Sequence, residues 1–143
     1  TTGIITPTGR VDRSDQVPVF YNFPLGHHLR MRFGVNVRIE NDINCAAWGE
    51  FATRTQNGTL ESNDDLLFVD LVEGLNTGLI MNGQLHRGRT YNAGEIMDAL
   101  PGREQGDKPT RKQMLTDIVG PLALVVDPST VVGSLPINSS FWA

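Results

Sequence analysis

The order in which apolar and polar residues follow one another changes period several times along the chain, and each change predicts an element. Gly3-Ile4-Ile5, the turn Pro7-Thr8-Gly9 and then Arg10-Val11 read as two extended segments that close a hairpin or a sheet edge. Residues 12–25 are irregular, because Pro18 and Pro24 oppose a long helix. Leu25, Leu29 and Phe33 recur at helical spacing, and Gly34 stands where a helix ends. Val35-Asn36-Val37-Arg38-Ile39-Glu40 then alternates with period two, which predicts a strand with Val35, Val37 and Ile39 on one face. After polar Asn41-Asp42, the residues Ile43, Ala46, Ala47 and Phe51 return to helical spacing through about Arg54, so strand passes into helix at this point.

Thr55 to Asp64, with Asn57-Gly58 and Ser62, reads as a surface linker and divides the chain. Residues 1–62 are expected to be the end of a first lobe carrying the strand–helix junction, and 63–143 a second lobe. That second lobe opens with an apolar strand from Leu66 to Val72, a turn Glu73-Gly74-Leu75-Asn76 and a strand from Thr77 to Met81. Asn82-Gly83 turns the chain into a short third strand, Gln84-Leu85-His86, giving a meander. Residues 101–109 read as a loop, and Met114, Ile118, Leu122 and Val125 as a helix that Pro121 kinks or restarts. Asp127-Pro128 ends that helix before a short strand, Thr130 to Gly133; the tail Asn138 to Ala143 carries no signal.

Charge narrows the function classes. Twelve basic against sixteen acidic residues give a net charge of −4, which does not suit a broad grip on a phosphate backbone. A hydrophobic share of 39% with 20% charged residues is that of a globular chain rather than a disordered one. Cys45 is the single cysteine and fits a reducing compartment, and no apolar run reaches the about 18 to 20 residues that span a bilayer. The expectation is a soluble, cytoplasmic protein with no membrane partner. The chain starts at Thr1-Thr2-Gly3 without an initiator Met and reads as a piece of something longer.

Three places offer chemistry. Glu40-Asn41-Asp42-Ile43-Asn44 lies at a strand's carboxyl end where a helix begins, the usual place for a ligand in an α/β fold. Asp42 there can accept a proton or hydrogen bond from a sugar hydroxyl, and Asn41 and Asn44 each donate and accept. Asn41 or Asp42 as a plain helix N-cap explains the same residues. In the turn Glu73 to Gly78, Gly74 and Gly78 would let backbone amides approach an anion, although an ordinary hairpin turn accounts for them as well. Tyr91-Asn92-Ala93-Gly94-Glu95-Ile96 places Glu95 after small residues, either lining a cleft or as a solvated charge. His86-Arg87-Gly88-Arg89 reads as a solvated loop, and no metal site is expected from three scattered histidines and one cysteine.

Taken in order, these pieces resemble the ROK family of bacterial sugar kinases and sugar-responsive repressors. Val37-Arg38-Ile39-Glu40-Asn41-Asp42-Ile43-Asn44-Cys45-Ala46-Ala47-Trp48-Gly49-Glu50 is similar to the family's V-x-x-E-N-D-x-N-x-A-A-x-x-E signature. Leu66 to Gly83 resembles its phosphate-proximal hairpin, and Ala93-Gly94-Glu95-Ile96 its sugar-contacting A-G-E-I segment. The resemblance implies an α/β, actin-like ATPase (ribonuclease H-like) fold, here a partial chain with a mixed sheet and flanking helices. It implies that Asp42 is the general base of the kinases, Asn41 a sugar-contacting amide and Glu95 a sugar-contacting carboxylate.

The departures from the family pattern point elsewhere. Where the kinases carry Gly-Thr-Gly at the hairpin turn, this chain has Val72-Glu73-Gly74, which sets a carboxylate where ATP phosphates would lie. Met97-Asp98 replaces the Gly-His that follows A-G-E-I, and the cysteine-rich zinc loop has no counterpart. The expectation is therefore the sugar-sensing part of a NagC/XylR-like transcriptional regulator with no cofactor. A fragment of an ATP-dependent sugar kinase, using ATP and Mg with Asp42 as base, is the alternative. The expected partners are a small-molecule sugar, further copies of the chain in a homo-oligomer, and DNA only through an N-terminal domain that this chain lacks.

Overall fold

The computed structural model describes residues 1–72, 74–96 and 110–134. Strands β1 (Ile4–Ile5) and β2 (Val11–Arg13) pair antiparallel into the expected hairpin. Its turn is closed by the Gly9 N–H on the Thr6 carbonyl at 2.9 Å and the Thr6 N–H on the Arg10 carbonyl at 2.9 Å. Helix α1 (Leu25–Phe33) starts against this turn, where the Gly26 N–H donates to the Gly9 carbonyl at 2.8 Å. It ends as its sequence predicts, at Gly34 in the left-handed region with its N–H on the Arg30 carbonyl.

The period-two segment Val35 to Glu40 is not a strand. An alternating pattern becomes a strand only where a neighbour takes its N–H and C=O groups and a layer covers its apolar side. Among the described residues no strand pairs with it, and Val35 is 58% exposed. Its backbone is met instead by Arg30, which donates to the Val37 carbonyl at 3.2 Å, and by the Thr1 ammonium on the Glu40 carbonyl at 3.2 Å.

Helix α2 (Asp42–Gln56) follows as predicted. The rest of the chain builds a four-stranded sheet from β3 (Leu66–Asp70), β4 (Asn76–Met81), β5 (Gln84–Leu85) and β6 (Thr130–Ser134), in the order β5-β4-β3-β6. The first three strands form the expected antiparallel meander; β6 joins β3 in parallel, with Phe68 opposite Val132. Asn82 and Gly83 both have positive φ (50° and 68°), the geometry a two-residue hairpin turn needs.

Both faces of β3 are covered, which is why its sequence is an unbroken apolar run. Leu66 and Phe68 pack with Ala47 and Phe51 of α2, Leu60 and Ile80, so residues on both sides of position 62 share one core. Leu67, Val69, Leu71 and Leu75 pack on the other face with Met114 and Val119. Those two residues belong to a helical rod over 110–126: α3 (Arg111–Gln113), a π-helical turn (Met114–Val119) and α4 (Gly120–Val126). Thr110 opens the rod with a capping box to Gln113. Pro121 sits in the first turn of α4, and the wide turn before it, with the Gly120 N–H on the Leu115 carbonyl, relieves the clash a proline ring makes inside a regular helix. Asp127, left-handed at φ 48°, stops the rod ahead of Pro128. The loop expected at 101–109, the tail 138–143, Met97-Asp98 and Glu73 lie outside the described residues.

Candidate functional site

The start of α2 is built by one asparagine. Asn41 stands at the N-cap with extended backbone; its Oδ1 accepts the Asn44 N–H at 3.1 Å and its Nδ2 donates to the Gly3 carbonyl at 2.9 Å. The capping reading of Asn41 is therefore correct, and the same side chain ties the helix to the β1 hairpin. Asp42 is the first helical residue. It is exposed, its N–H donates to the Thr1 carbonyl at 3.0 Å and its Oδ1 accepts the Ile43 N–H at 3.1 Å.

Glu40 precedes the cap and is fully engaged. Oε1 accepts the Asn41 N–H and the Asn44 side-chain amide, each at 3.1 Å; Oε2 accepts Arg87 Nε at 2.8 Å and also Arg87 Nη2. Burial by itself would raise the pKa of this carboxyl. The hydrogen bonds from Arg87, Asn44 and the Asn41 backbone, with the charge of Arg87, outweigh it and hold the group below its usual range. Arg87 is thus not the solvated loop residue its basic neighbourhood predicts. Nothing local signals this partner, because the two residues stand 47 positions apart.

The opposite wall comes from the segment after β5. Gly94 has φ 94° and lies so close to β4 that a Cβ would stand 2.0 Å from the Thr77 carbonyl oxygen. Its own carbonyl accepts both the N–H and the hydroxyl of Thr77, each at 3.2 Å. This contact fixes Glu95, and a glycine is required to make it. Between the walls lies a shallow polar hollow, lined by Gly3, Ile5, Glu40, Asn41, Asn44, Thr77, Tyr91, Ala93 and Glu95.

Of the expected site residues, Asn41 and Glu95 meet in this hollow. Asp42 is adjacent in sequence to Asn41 but is not among the lining residues. Gly74 (φ 136°) has open space where a side chain would be. Gly78 is not in the turn at all: it lies inside β4 beneath α2, where a Cβ would stand 2.6 Å from the Ala47 Cβ. Its lack of a side chain serves helix–sheet packing, so it is removed from any phosphate-binding turn. Sequence reasoning missed Thr77 and Tyr91 as lining residues and Arg87 as their neighbour's partner. Among the described residues, no group of three or more His, Cys, Asp or Glu is placed to hold a metal ion, and no helix is long and apolar enough to cross a membrane.

The profile of the ROK family matches residues 1–104. The chain belongs to the ROK family. A β-glucoside kinase of Listeria monocytogenes is 34% identical over 121 residues, covering 82% of this chain and 38% of that protein, so the chain spans well under half of that relative's length. Among solved structures, a ROK family glucokinase from Streptomyces griseus in complex with glucose and AMPPNP is 31% identical over 66% of this chain and 29% of its own, with a TM-score of 0.53. Lmo2764, a putative N-acetylmannosamine kinase from Listeria monocytogenes, has a TM-score of 0.64 over 93% of this chain and 62% of its own at 21% identity. A ROK family transcriptional regulator, homolog of E. coli MLC protein, has a TM-score of 0.52 over 82% of this chain and 36% of its own at 19% identity. These last two carry the fold alone. The fold is the α/β, actin-like ATPase type of the ROK family, in part, with a mixed sheet and helices.

Proposed function

We propose that this chain supplies the sugar-binding and proton-accepting part of an ATP-dependent ROK sugar kinase acting on a hexose or N-acetylhexosamine. The relatives similar at about a third identity carry kinase names, so the kinase reading replaces the regulator expected from Glu73. The supporting observation is the hollow: residues far apart in the sequence, Asn41 and Asn44 on one side and Thr77 and Glu95 on the other, converge on one polar surface. Amides, a hydroxyl and a carboxylate around a shallow hollow are the donors and acceptors that a polyhydroxylated ring requires. Asn41 uses one N–H and one lone pair in its bonds to Gly3 and Asn44, and a side-chain amide has a second of each for a hydroxyl.

Asp42 is the proposed general base. It is exposed at the first position of α2, where the positive end of the helix favours an anion, and its Oδ1 is steadied by the Ile43 N–H. In the reaction the carboxylate takes the proton of the sugar hydroxyl as that oxygen attacks the terminal phosphoryl group of the co-substrate ATP; the bond from that phosphorus to the bridging oxygen breaks, ADP leaves with the electron pair, and the proton stays on Asp42 until it passes to solvent. Among the described residues no group of three or more His, Cys, Asp or Glu is placed to hold Mg, and no step is assigned to a metal ion.

The test is made on the protein carrying this chain at its full length. Calorimetry with glucose and with N-acetylmannosamine is paired with a coupled assay for sugar phosphate. Asp42→Asn is expected to lower kcat by roughly 10²- to 10⁴-fold, the usual worth of a general base, with sugar affinity changed by less than about threefold. Unchanged turnover removes Asp42 from the chemistry. Sugar binding without turnover in the wild type, with DNA released on sugar addition, restores the regulator.

A further inference from the structure

We propose that Glu40, latched by Arg87, is a positioning residue that joins the two walls of the hollow and is not itself a ligand of the sugar. This rests on the hollow being the sugar site. A carboxylate has about four lone-pair sites, and Glu40 receives four N–H groups: two on Oε1 from Asn41 and Asn44, two on Oε2 from the guanidinium of Arg87. Although it lines the hollow, it has no acceptor left for a hydroxyl.

What those bonds connect gives the role. On one side they hold the N–H of the cap residue Asn41 and the side chain of Asn44, which both belong to the α2 wall. On the other side they hold the side chain of Arg87, whose carbonyl accepts the Ala93 N–H at 3.1 Å. Ala93 leads directly into Gly94 and Glu95, the opposite wall. One ion pair therefore spans from the start of α2 to the segment that carries Glu95. The pair is mostly shielded, with side chains 18% and 26% exposed, so removing one partner strands the other in a poorly solvated place. The titratable groups around Glu40 are Arg87, Glu95 and Tyr91 across the hollow, Asp42 two residues on, and the Thr1 ammonium on its main-chain carbonyl.

Without Arg87, the burial that raises the Glu40 pKa loses its main opponent. The carboxyl midpoint then rises from its wild-type position, while the Asn41 and Asn44 bonds still hold Oε1 and Oε2 is left open toward the hollow. The experiment compares wild type, Arg87→Ala and Arg87→Lys at full length by three readouts. These are the carbon-detected NMR titration of the Glu40 carboxyl, calorimetry with glucose and N-acetylmannosamine from pH 5.5 to 8, and thermal unfolding.

The expected result is a low Glu40 midpoint and pH-independent affinity in the wild type. Arg87→Ala should give a raised midpoint and affinity weakened about tenfold or more, changing with pH. Arg87→Lys, which keeps the charge, should recover to within about threefold; if the alanine variant does not fold, Arg87→Gln, which keeps a donor and loses the charge, takes its place with the same expected rise in midpoint and loss of affinity. A purely structural pair would lower the melting temperature and leave affinity and its pH profile unmoved. A ligand role for Glu40 would leave affinity unchanged or tighter once Arg87 is gone. Either outcome overturns the proposal, as does an unchanged Glu40 midpoint. Absence of any saturable sugar binding in the wild type overturns the kinase site itself and this role with it, whereas wild-type binding that ignores Arg87 overturns this role alone.

Discussion

Replacing Asn41 by alanine removes two hydrogen bonds from opposite ends of one amide, and the structure assigns each a cost. The Oδ1 bond to the Asn44 N–H is a helix N-cap in a buried setting, and losing such a cap costs about 1 kcal/mol, within a range of about 0.5 to 2. The Nδ2 bond to the Gly3 carbonyl ties α2 to the β1 hairpin, and deleting its donor costs about 1 kcal/mol more. The two together amount to about 2 kcal/mol, which for a chain of this size lowers Tm by roughly 4 to 8 °C. Asn41→Asp separates the two parts: it keeps an oxygen for the cap, where the helix start favours a negative charge, but sets its second oxygen against the Gly3 carbonyl in place of the donor, so it should fall between wild type and the alanine variant. Urea unfolding followed by far-UV circular dichroism measures both, with equal m values required for the comparison. The reasoning fails if Asn41→Ala lies within about 0.5 kcal/mol of wild type, or if Asn41→Asp is as unstable as the alanine variant. If Asn41 also contacts sugar, both variants weaken sugar affinity beyond what their stability loss explains.

What could be read in the sequence is what local chemistry decides. The helical spacing of Leu25, Leu29 and Phe33 followed by Gly34 carries the presence and the stop of α1 but not its buried face, since Phe33 is 64% exposed and Gly26 is the residue the helix buries; Asn82-Gly83 specifies its turn by the two positive φ angles it permits. Asp127-Pro128 ends the α4 rod for the same kind of reason. Val35 to Glu40 misleads because alternation records only what a strand would present to neighbours, and none of the described strands lies beside it. Gly78 misleads differently: a glycine in a short Gly-x-x-x-Gly run marks close approach, but the sequence does not say to what, and here α2 is what approaches. At the site, capping and ligand binding looked like rival explanations of Asn41. They are compatible, since a side-chain amide has enough donors and acceptors for both. The Glu40–Arg87 pair was out of reach, because no periodicity connects a residue before α2 with one after β5.

The two glycines that touch β4 give the remaining predictions. In Gly78→Ala the new methyl would stand 2.6 Å from the Ala47 Cβ and 3.1 Å from the Ile43 carbonyl, so α2 must lift from the sheet; the expected loss is about 1 to 3 kcal/mol in urea unfolding, and an unchanged midpoint refutes the packing argument. Gly94→Ala acts at the site rather than the core. Alanine at φ 94° is strained, and its Cβ would lie 2.0 Å from a backbone oxygen that cannot give way, so the segment must detach from Thr77 and carry Glu95 with it. Neither sheet–helix core includes Gly94, so far-UV dichroism should stay unchanged while sugar affinity falls about tenfold or more and the Thr77 amide, bonded to the Gly94 carbonyl in the native state, exchanges faster with solvent. Wild-type affinity together with unchanged protection at Thr77 would show that the second wall of the hollow does not depend on this contact.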